Sequence, residues 1–444
     1  MSRVVEARRE NVRVVADPAV PPIRLVVRDD DLRRSRLTVF FRLLLALPHL
    51  VWLGLWAIAA SVAAFVLWLA ILIEGRAPPA VHGFVTGYVR YATHVGAYVF
   101  LAAGPFPGFR GAPGYPIDVD IDPPARQSRW SALVRIVLVL PAILVASGLG
   151  GGFAWAGLGG IYAFFAFFVA ASGAVGAAAF LTWFSALVRG RAPRGLRDLV
   201  AFALGYSAQA GGYALFLTGR YPSSDPALAE PYSDLPAHPV RSGVSEDLAR
   251  PLLVVRCRAL LALPHLVWLV LWGIAVLGAL LAAWAAALVT GSVPSVLHRF
   301  LAAYVRYAMH VTAFVTLVGR RFPGFAGRAG SYEVDLELPA REPQPRLATL
   351  ARLVLAIPAL LVANALGTVA WIVAFLGWWY ALVRGTMPEG LRNLGASCLR
   401  YTGQTYAYLF LVTKAYPYAA PVLRERPPAP APEIASGLVP GDAF

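Results

Sequence analysis

The stretch PAVHGFVTGYVRYATHVGAY, residues 79–98, carries one arginine and two histidines inside an otherwise apolar run with helical character. A second copy, PSVLHRFLAAYVRYAMHVTAF, occupies residues 294–314, and weaker echoes surround Gln209 and Gln404. Recurrence of this kind is typical of a chain built from tandem structural repeats. The sequence is therefore interpreted as four related units, each of which ends in one such polar-striped helix.

The composition indicates a membrane protein. Of the 444 residues 58% are apolar and only 14% are charged, and the mean hydropathy is +0.63. In a soluble protein a net charge of +15 would favour nucleic acid. Here the arginines flank apolar runs, so anionic headgroups and the orientation of insertion explain them better, and no nucleic-acid partner is predicted. The first 22 residues lack an apolar h-region, so the first membrane span is expected to act as the targeting signal.

Each unit follows one cycle of strand, basic segment, proline-bent apolar run, tight turn and polar-striped helix. The first apolar run, residues 43–73, would be about 46 Å long as a helix, whereas the hydrocarbon core is roughly 30 Å thick. We therefore predict an interfacial segment up to Pro48 and a span over residues 50–73. The predicted segments are a polar N-terminal segment 1–22, unit one 23–114, unit two 115–236 with a long apolar insertion, unit three 237–330, unit four 331–418, and a disordered Pro/Ala-rich tail 419–444.

Two crossings per unit predict an all-α integral membrane protein with about eight transmembrane helices. Most arginines then lie on the side of the connectors, and the positive-inside rule places both termini in the cytoplasm of a multi-pass protein of the inner (plasma) membrane. Unit two departs from this plan, because residues 133–188 contain a single charged residue, Arg135, and would extend about 84 Å as one helix. Its Gly-rich residues 148–160 could turn a hairpin or form a re-entrant segment packed against protein.

Short strands are predicted before the units, at residues 23–27, 115–122, 238–240 and 332–338. In YPIDVDID, the apolar residues Ile117, Val119 and Ile121 alternate with acids, as in a half-exposed strand. A lone strand is unstable, so the strands are expected to pair with one another or with helix ends. The inference is a small cytoplasmic sheet that ties the repeats together.

A combination of four elements recurs: a strand with YP, the run R-x-x-x-LLALPHL, a long apolar segment ending in GRxP, and R-Y-x-x-H-V-x-A-Y closed by Pro-x-Phe. In this combination the chain resembles the DUF4389 family of bacterial membrane proteins, with four tandem copies over nearly all of residues 23–418. The resemblance implies a multi-spanning protein of a family common in actinobacteria, and it carries over no catalytic residues. Unit two, with its insertion and its missing arginine, departs most from the pattern.

Arg90, His94 and Tyr98 are four residues apart, so they form one stripe on a helix, with His82 on its flank. The related candidate residues in units three and four are Arg306, His310, His298, Arg400 and Gln404. An arginine at this depth costs at least ~2.5 kcal/mol unless it snorkels, pairs or faces water, and no acid is expected well inside a span. Either these arginines bind an anion such as a lipid phosphate, or they are structural and cap free carbonyl groups.

The histidines allow three interpretations: a helix–helix hydrogen bond, a proton relay, or a metal or haem site. A metal site is the weakest of these, because single histidines without HxxxH or CxxCH spacing offer few ligands, and Cys257 and Cys398 have no CxxC pattern. No metal or cofactor is therefore predicted. Four amphipathic rings are expected at the headgroup level: His49, His265, Trp52 and Trp268.

No enzyme is predicted, because the chain lacks GxSxG, HExxH and P-loop patterns. The leading hypothesis is transport, or handling of lipids or anions, around an Arg/His-lined polar region. The alternative is a non-catalytic envelope scaffold or an assembly partner in a membrane complex. Membrane lipids and other membrane proteins are the expected partners. Transport requires Arg90, Arg306 and their histidines to line a common water-accessible cavity, whereas a scaffold does not.

Overall fold

A computed structural model of the protein describes residues 21–28, 31–150, 173–228, 238–244 and 247–421. Within these residues the chain forms twelve helices and four short strands, so it is mostly helical, as predicted. The predicted N-terminal segment and tail lie almost entirely outside the described residues, as do most of the Gly-rich residues 148–160 of unit two.

Every unit has a long apolar helix, or several shorter ones in unit two, followed by a polar-striped helix. Units one and two form β1 (Ile23–Val27), α1 (Arg36–Phe40), α2 (Arg42–Glu74), α3 (Pro79–Val99), β2 (Ile117–Ile121), α4 (Arg129–Leu138), α5 (Leu140–Leu149), α6 (Ala174–Arg189) and α7 (Arg194–Ala214). After a 3₁₀ turn (Pro226–Leu228), units three and four form β3 (Arg241–Val244), α8 (Leu252–Thr290), α9 (Ser295–Val315), β4 (Val334–Glu337), α10 (Arg346–Leu350), α11 (Arg352–Arg384) and α12 (Glu389–Leu409). The polar-striped helices are α3, α7, α9 and α12.

The long helices bury only a narrow stripe. In α2 the buried positions recur every three or four residues, as at Leu53, Ala57, Ala60 and Ala64, and the small alanines let α3 pack closely. The other faces of α2 expose large apolar side chains, namely Leu47, Val51, Leu55, Ile58, Val62, Phe65 and Leu69. An exposed apolar surface of this extent is typical of contact with lipid.

The long helices continue through their prolines. Pro48 lies inside α2, so the predicted boundary at this residue is wrong, and the break comes earlier, at Phe41 between α1 and α2. Proline removes one backbone hydrogen bond but keeps a helical φ, so a helix can continue past it. In unit two the break falls between α4 and α5, which meet at 45° just before Pro141.

In the part of the chain that the structure describes, three helices, α2, α8 and α11, are long and apolar enough to cross a membrane, and the bent pair α4–α5 would be a fourth if it counts as one span. This property indicates a membrane protein. The polar-striped helices do not belong to this set, so the predicted eight transmembrane helices are not confirmed.

The described residues form two antiparallel sheets of two strands each instead of one: β1 pairs with β2, and β3 pairs with β4. β1 has the predicted bounds, β2 and β4 are shorter than predicted, and β3 begins at Arg241, after the predicted residues 238–240. Leu25 of β1 packs on Gly205 in the middle of α7, while β2 lies on α3. The other sheet covers α9 and α12 in the same way.

The segment before the first helix of each unit, which we call the lead-in, pairs with the tight turn of a neighbouring unit. A backbone bridge joins Arg76, in the turn of unit one, to Arg126, in the lead-in of unit two. The equivalent bridges are Arg33–Arg191, Ser292–Pro343 and Ala249–Thr386. These bridges place each turn beside a neighbouring lead-in, and the predicted topology, with turns and connectors on opposite sides of the membrane, is not confirmed.

Units one and two thus pack antiparallel. The connector, which is the segment between α3 and α4, runs along α3 from one end of the α2–α3 hairpin to the other. Its strand β2 presents Asp120 to solvent, with 47% of the side chain exposed. The long helix α2 packs on a different face of α3. The result is three layers: apolar long helices, polar-striped helices, and charged sheets.

Candidate functional site

The stripe of unit one meets a carboxylate from the strand that follows it. His94 Nε2 donates to Asp118 Oδ1 at 2.9 Å, and Arg90 Nε lies 3.4 Å from the same oxygen. Arg90 also donates to the carbonyl oxygen of Val119 at 3.2 Å. The Asp118 carboxylate accepts the backbone N–H groups of Gly114 and Val119, at 2.7 and 2.8 Å. We call Arg90, His94 and Asp118 the unit-one cluster.

The unit-three cluster, Arg306, His310 and Asp335, has the same geometry. His310 Nε2 donates to Asp335 Oδ1 at 2.8 Å, and Arg306 Nε lies 3.5 Å from that oxygen. Arg306 also donates to the carbonyl oxygen of Leu336 at 3.1 Å. The Asp335 side chain is 16% exposed, whereas that of Asp118 is fully buried, so the unit-three cluster is the more open of the two.

Both carboxylates are stabilised in their charged form. Burial disfavours the charge on Asp118, but hydrogen bonds from His94 and from the backbone outweigh that effect and lower the pKa of Asp118 to about 2. The pKa of Asp335 is lowered by the same balance of burial and hydrogen bonds. Each cluster therefore contains an anion at neutral pH, and it joins an odd polar-striped helix to the strand that follows.

No acid was expected well inside a span, and the carboxylates that meet the stripes come from strands instead. Asp118 and Asp335 come from β2 and β4, whose acids were expected to face solvent. The signal was present in the sequence, because one acid follows Arg90 by 28 residues and another follows Arg306 by 29 residues, each inside a strand pattern. The pattern alone does not show which acid of the strand points inward.

His82 and His298, at the start of the odd polar-striped helices, contact the loops that end the even ones. His82 Nε2 lies 3.2 Å from the carbonyl oxygen of Leu217, and His298 Nε2 lies 3.1 Å from that of Val412. Both imidazoles are buried. They therefore link the two units of each pair and are not part of either cluster.

Arg400 and Gln404 of unit four also bind the backbone. Arg400 Nη2 donates to the carbonyl oxygens of Tyr418 and Ala420. Gln404 donates to the carbonyl oxygen of Val240 at 3.0 Å and accepts the N–H of Tyr418 at 3.1 Å. The Gln404 amide thus bonds to two backbone groups, whereas the histidine at the equivalent place in each odd unit bonds to a carboxylate.

His49 and His265 are fully buried inside the protein, and their position at the headgroup level stays a prediction. His49 Nδ1 lies 2.7 Å from the Tyr91 hydroxyl, and its ring stacks on Phe109 at 4.3 Å between centroids. Trp52 is 43% exposed and donates its indole N–H to the carbonyl oxygen of Phe109. The same contacts recur in unit three among His265, Tyr307, Phe325 and Trp268. The interfacial position of the two tryptophans stays a prediction.

The two clusters lie on different sheets, and each is paired within its own half of the chain. Cavities of about 540 and 490 Å³ border the described residues, and neither is lined by an arginine or histidine of a cluster. The described residues hold no group of three or more His, Cys, Asp or Glu side chains that could bind a metal ion. The arrangement offers ion pairs in which the Nε2 atom of each histidine and the Nε atom of each arginine contact protein groups.

A second set of arginines, which sequence reasoning missed, occurs six residues before the proline in all four units. We call them the ring arginines, because each guanidinium lies between 4.2 and 4.8 Å from the centroid of an aromatic ring at the end of the polar-striped helix. Each also donates to carbonyl groups near that helix end. They are Arg42, Arg135, Arg258 and Arg352. The fourfold spacing R-x5-P is the signal that could have found them.

All four polar-striped helices end at a residue with a left-handed backbone, which costs a non-glycine residue about 1–2 kcal/mol. Their φ angles lie between +61° and +64°, at Leu101, Phe216, Leu317 and Leu411. In each unit, the carbonyl oxygen of the left-handed residue accepts a hydrogen bond from the side chain that lies eight residues before the ring arginine. These donors are Arg34, Gln127, Arg250 and Gln344. The strained helix end is therefore held by the lead-in of the same unit.

These features define a class of protein: a membrane-associated helical protein of four tandem units that pack in antiparallel pairs. The family model of DUF4389, a domain of unknown function, matches the chain at residues 36–109, 160–224, 254–326 and 346–420. The chain therefore belongs to the DUF4389 family, with four tandem copies. No curated protein and no solved structure matches it.

Proposed function

We propose that the protein is a non-catalytic membrane scaffold whose long helices lie in one face of the bilayer while its sheets face water. The observation that carries this proposal is the pairing of each tight turn with a neighbouring lead-in, together with sheets that run along the polar-striped helices. Both ends of each helical hairpin would then lie at the same membrane surface.

The charge on the strands supports this orientation. If α2 and α3 crossed the bilayer, β2 would lie beside the middle of α3, at the depth of the hydrocarbon. Its exposed Asp120, its neighbour Arg28 and the open edge of a two-stranded sheet would then face lipid. Open sheet edges do not occur against lipid, because no water is present to satisfy their backbone groups. A sheet that faces water removes this cost.

The helix lengths support it as well. At 33 and 39 residues, α2 and α8 are about 50 and 58 Å long, against a hydrocarbon core of roughly 30 Å. Such a helix would need a large tilt to cross, whereas a helix that lies in the plane of the membrane has no such limit. The exposed apolar residues of α2 extend along its whole length, which suits a helix in contact with lipid throughout.

The orientation relative to the cell is part of the proposal. The described chain begins in the sheet layer at β1, and residues 416–418 near its end contact His238 and Gln404 beside β3. Both described ends thus belong to the water-facing layer. Since the lead-ins and turns are rich in arginine, the positive-inside rule favours the cytoplasmic face of the plasma membrane for this layer.

Transport through the Arg/His region is the alternative, and it needs a cavity that both clusters share. The proposal instead assigns the clusters a structural role, because Asp118 and Asp335 pair with both members of each stripe. Proteoliposomes with wild-type protein or the Arg90→Gln/Arg306→Gln double variant test this point. The scaffold proposal predicts equal proton and anion flux for the two. A flux that the double variant abolishes would favour transport.

The depth of α2 in the bilayer tests the orientation. Single nitroxide labels at Val51, Ile58, Val62 and Leu69 lie on one exposed face of the helix. Collision rates with oxygen and with a water-soluble nickel complex report the depth of each label. The proposal predicts similar depths at all four positions. A crossing helix would instead separate the first and last labels by up to about 27 Å along its axis.

A further inference from the structure

A cavity of about 540 Å³ lies between α2 and the bent pair α4–α5, and the residues that follow α7 close one end of it. Its walls are almost entirely apolar and include Phe65, Trp68, Ile136 and Leu140. Phe65, Ile136 and Leu140 are exposed, so the cavity opens onto the apolar outer surface. Its volume is within the range of pockets that bind small ligands, about 300–1,000 Å³.

The ring arginine of unit two, Arg135, is the charged residue of this lining, and it is only 1% exposed. Its Nη1 donates to the carbonyl oxygens of Tyr213 and Thr218, at 3.2 and 3.0 Å. Its Nε and Nη2 are buried and have no hydrogen-bond partner. These two N–H groups share one edge of the planar guanidinium, and such an edge binds carboxylate or phosphate through two parallel hydrogen bonds.

Unit four shows how the same edge can be occupied from within the chain. There Arg352 Nη2 donates to Gln344 Oε1 at 2.7 Å. In unit two the corresponding Gln127 donates to the carbonyl oxygen of Phe216, and its Oε1 has no partner. The internal bond of unit four is therefore missing in unit two, where an apolar cavity adjoins the arginine.

The described residues that line the cavity supply no counter-charge, because they include no Asp or Glu. Buried N–H groups of a cation are costly when they lack an acceptor, and the cost falls when an anion accepts from both of them in a bidentate arrangement. Because the cavity opens onto the surface that we assign to lipid, the bilayer is the source of such an anion.

We propose that this cavity binds one anionic phospholipid of the surrounding bilayer, with its phosphate on the Nε–Nη2 edge of Arg135 and an acyl chain along Phe65 and Ile136. The proposal goes beyond the scaffold function, because it concerns one site in unit two. A lipid held there would fill the space between α2 and α4–α5 and neutralise the arginine at their contact.

Native mass spectrometry of the full-length protein tests the proposal. The protein is delipidated, reconstituted with phosphatidylglycerol or phosphatidylcholine, and extracted again in mild detergent. Wild type is expected to retain one phosphatidylglycerol per chain, and Arg135→Gln to retain about tenfold less, since a charge-assisted hydrogen bond contributes at least that factor. Arg352→Gln is the matched control, because it also removes a ring arginine and its carbonyl bonds but leaves the cavity intact.

A second variant separates lipid binding from loss of the arginine. Ser61→Phe fills the cavity from α2 and keeps Arg135, and it is expected to lose the retained lipid as well. Phosphatidylglycerol with a photoreactive acyl chain should crosslink to residues 136–143 in wild type and not in Ser61→Phe. Equal retention by wild type and Arg135→Gln, equal retention of the two lipids, or crosslinks only at other surfaces would overturn the proposal. So would the absence of retained lipid, which is the outcome expected if Gln127 bonds to Arg135 as Gln344 bonds to Arg352.

Discussion

The substitution Asp118→Asn removes the charge at the centre of the unit-one cluster and keeps the size of the side chain. Asp118 is fully buried and accepts hydrogen bonds from His94, Gly114 and Val119, with Arg90 3.4 Å away. Removing one partner of a buried ion pair typically costs 3–5 kcal/mol. The lowered pKa of Asp118 gives a second estimate of this free energy, because a change in pKa from 3.8 to about 2 corresponds to roughly 2 kcal/mol. We expect a loss of about 3 kcal/mol.

Hydrogen exchange measured by mass spectrometry locates this loss. The amides of β2 should lose about 100-fold of their protection, since each 1.4 kcal/mol corresponds to a factor of ten. Asp120→Asn, on the same strand but with 47% of its side chain exposed, is the matched control and should change protection little. If the two variants behave alike, the cluster does not hold the strand on α3 and the reasoning is refuted.

The same cluster predicts a pH dependence. Because the folded pKa of Asp118 lies below its ordinary value of 3.8, its contribution to stability is fully present above about pH 4 and is lost as the pH falls toward 2. The wild-type free energy of unfolding should decline over this window. Relative to wild type, the decline in Asp118→Asn should be smaller by roughly 2 kcal/mol. An identical decline in the two proteins would contradict the assigned pKa shift.

Three further predictions concern the packing around the clusters, each measured as a change in the free energy of unfolding in detergent. Gly111→Ala should cost at least about 1–3 kcal/mol, because its φ is +60° and a Cβ would lie 2.5 Å from the carbonyl oxygen of Gly87. Gly108→Ala is the control and should be tolerated, because the space around Gly108 is open. Arg34→Gln should cost less than Arg34→Ala, because glutamine holds the equivalent carbonyl group in the even units but cannot replace the bond from Arg34 to the Ala102 carbonyl group. His49→Phe should cost about 1–3 kcal/mol by leaving the Tyr91 hydroxyl unsatisfied, and adding Tyr91→Phe should recover part of that loss; strictly additive effects would contradict a direct bond.

The parts of the fold that depend on local pattern were predictable. The strand Ile23–Val27, the helical class and the four units follow from alternation, hydropathy and recurrence, and the family matches cover all four units. The stripe residues also occupy equivalent places in units one and three. Each of these features is encoded within a few turns of helix or a few residues of strand.

The features that depend on long-range register were not predictable. Asp118 and Asp120 are two residues apart and therefore lie on the same face of β2, so the alternation of the strand does not reveal that Asp118 meets His94 while Asp120 stays exposed. A hydropathy profile indicates how long an apolar helix is, but it does not indicate which segment pairs with the turn at the end of that helix. The bridge between Arg76 and Arg126, which sets the antiparallel packing of units one and two, therefore could not be inferred from local pattern.

The central claim, that both ends of each helical hairpin lie on one side of the membrane, can be tested by labelling two positions. Single cysteines replace Ser35, in a lead-in, and Arg76, in a tight turn, in a background without Cys257 and Cys398; both positions are exposed. A membrane-impermeant maleimide is applied to intact spheroplasts and to inverted vesicles. The account predicts that both cysteines react in inverted vesicles and neither reacts in spheroplasts. Labelling of the two positions from opposite sides would contradict it.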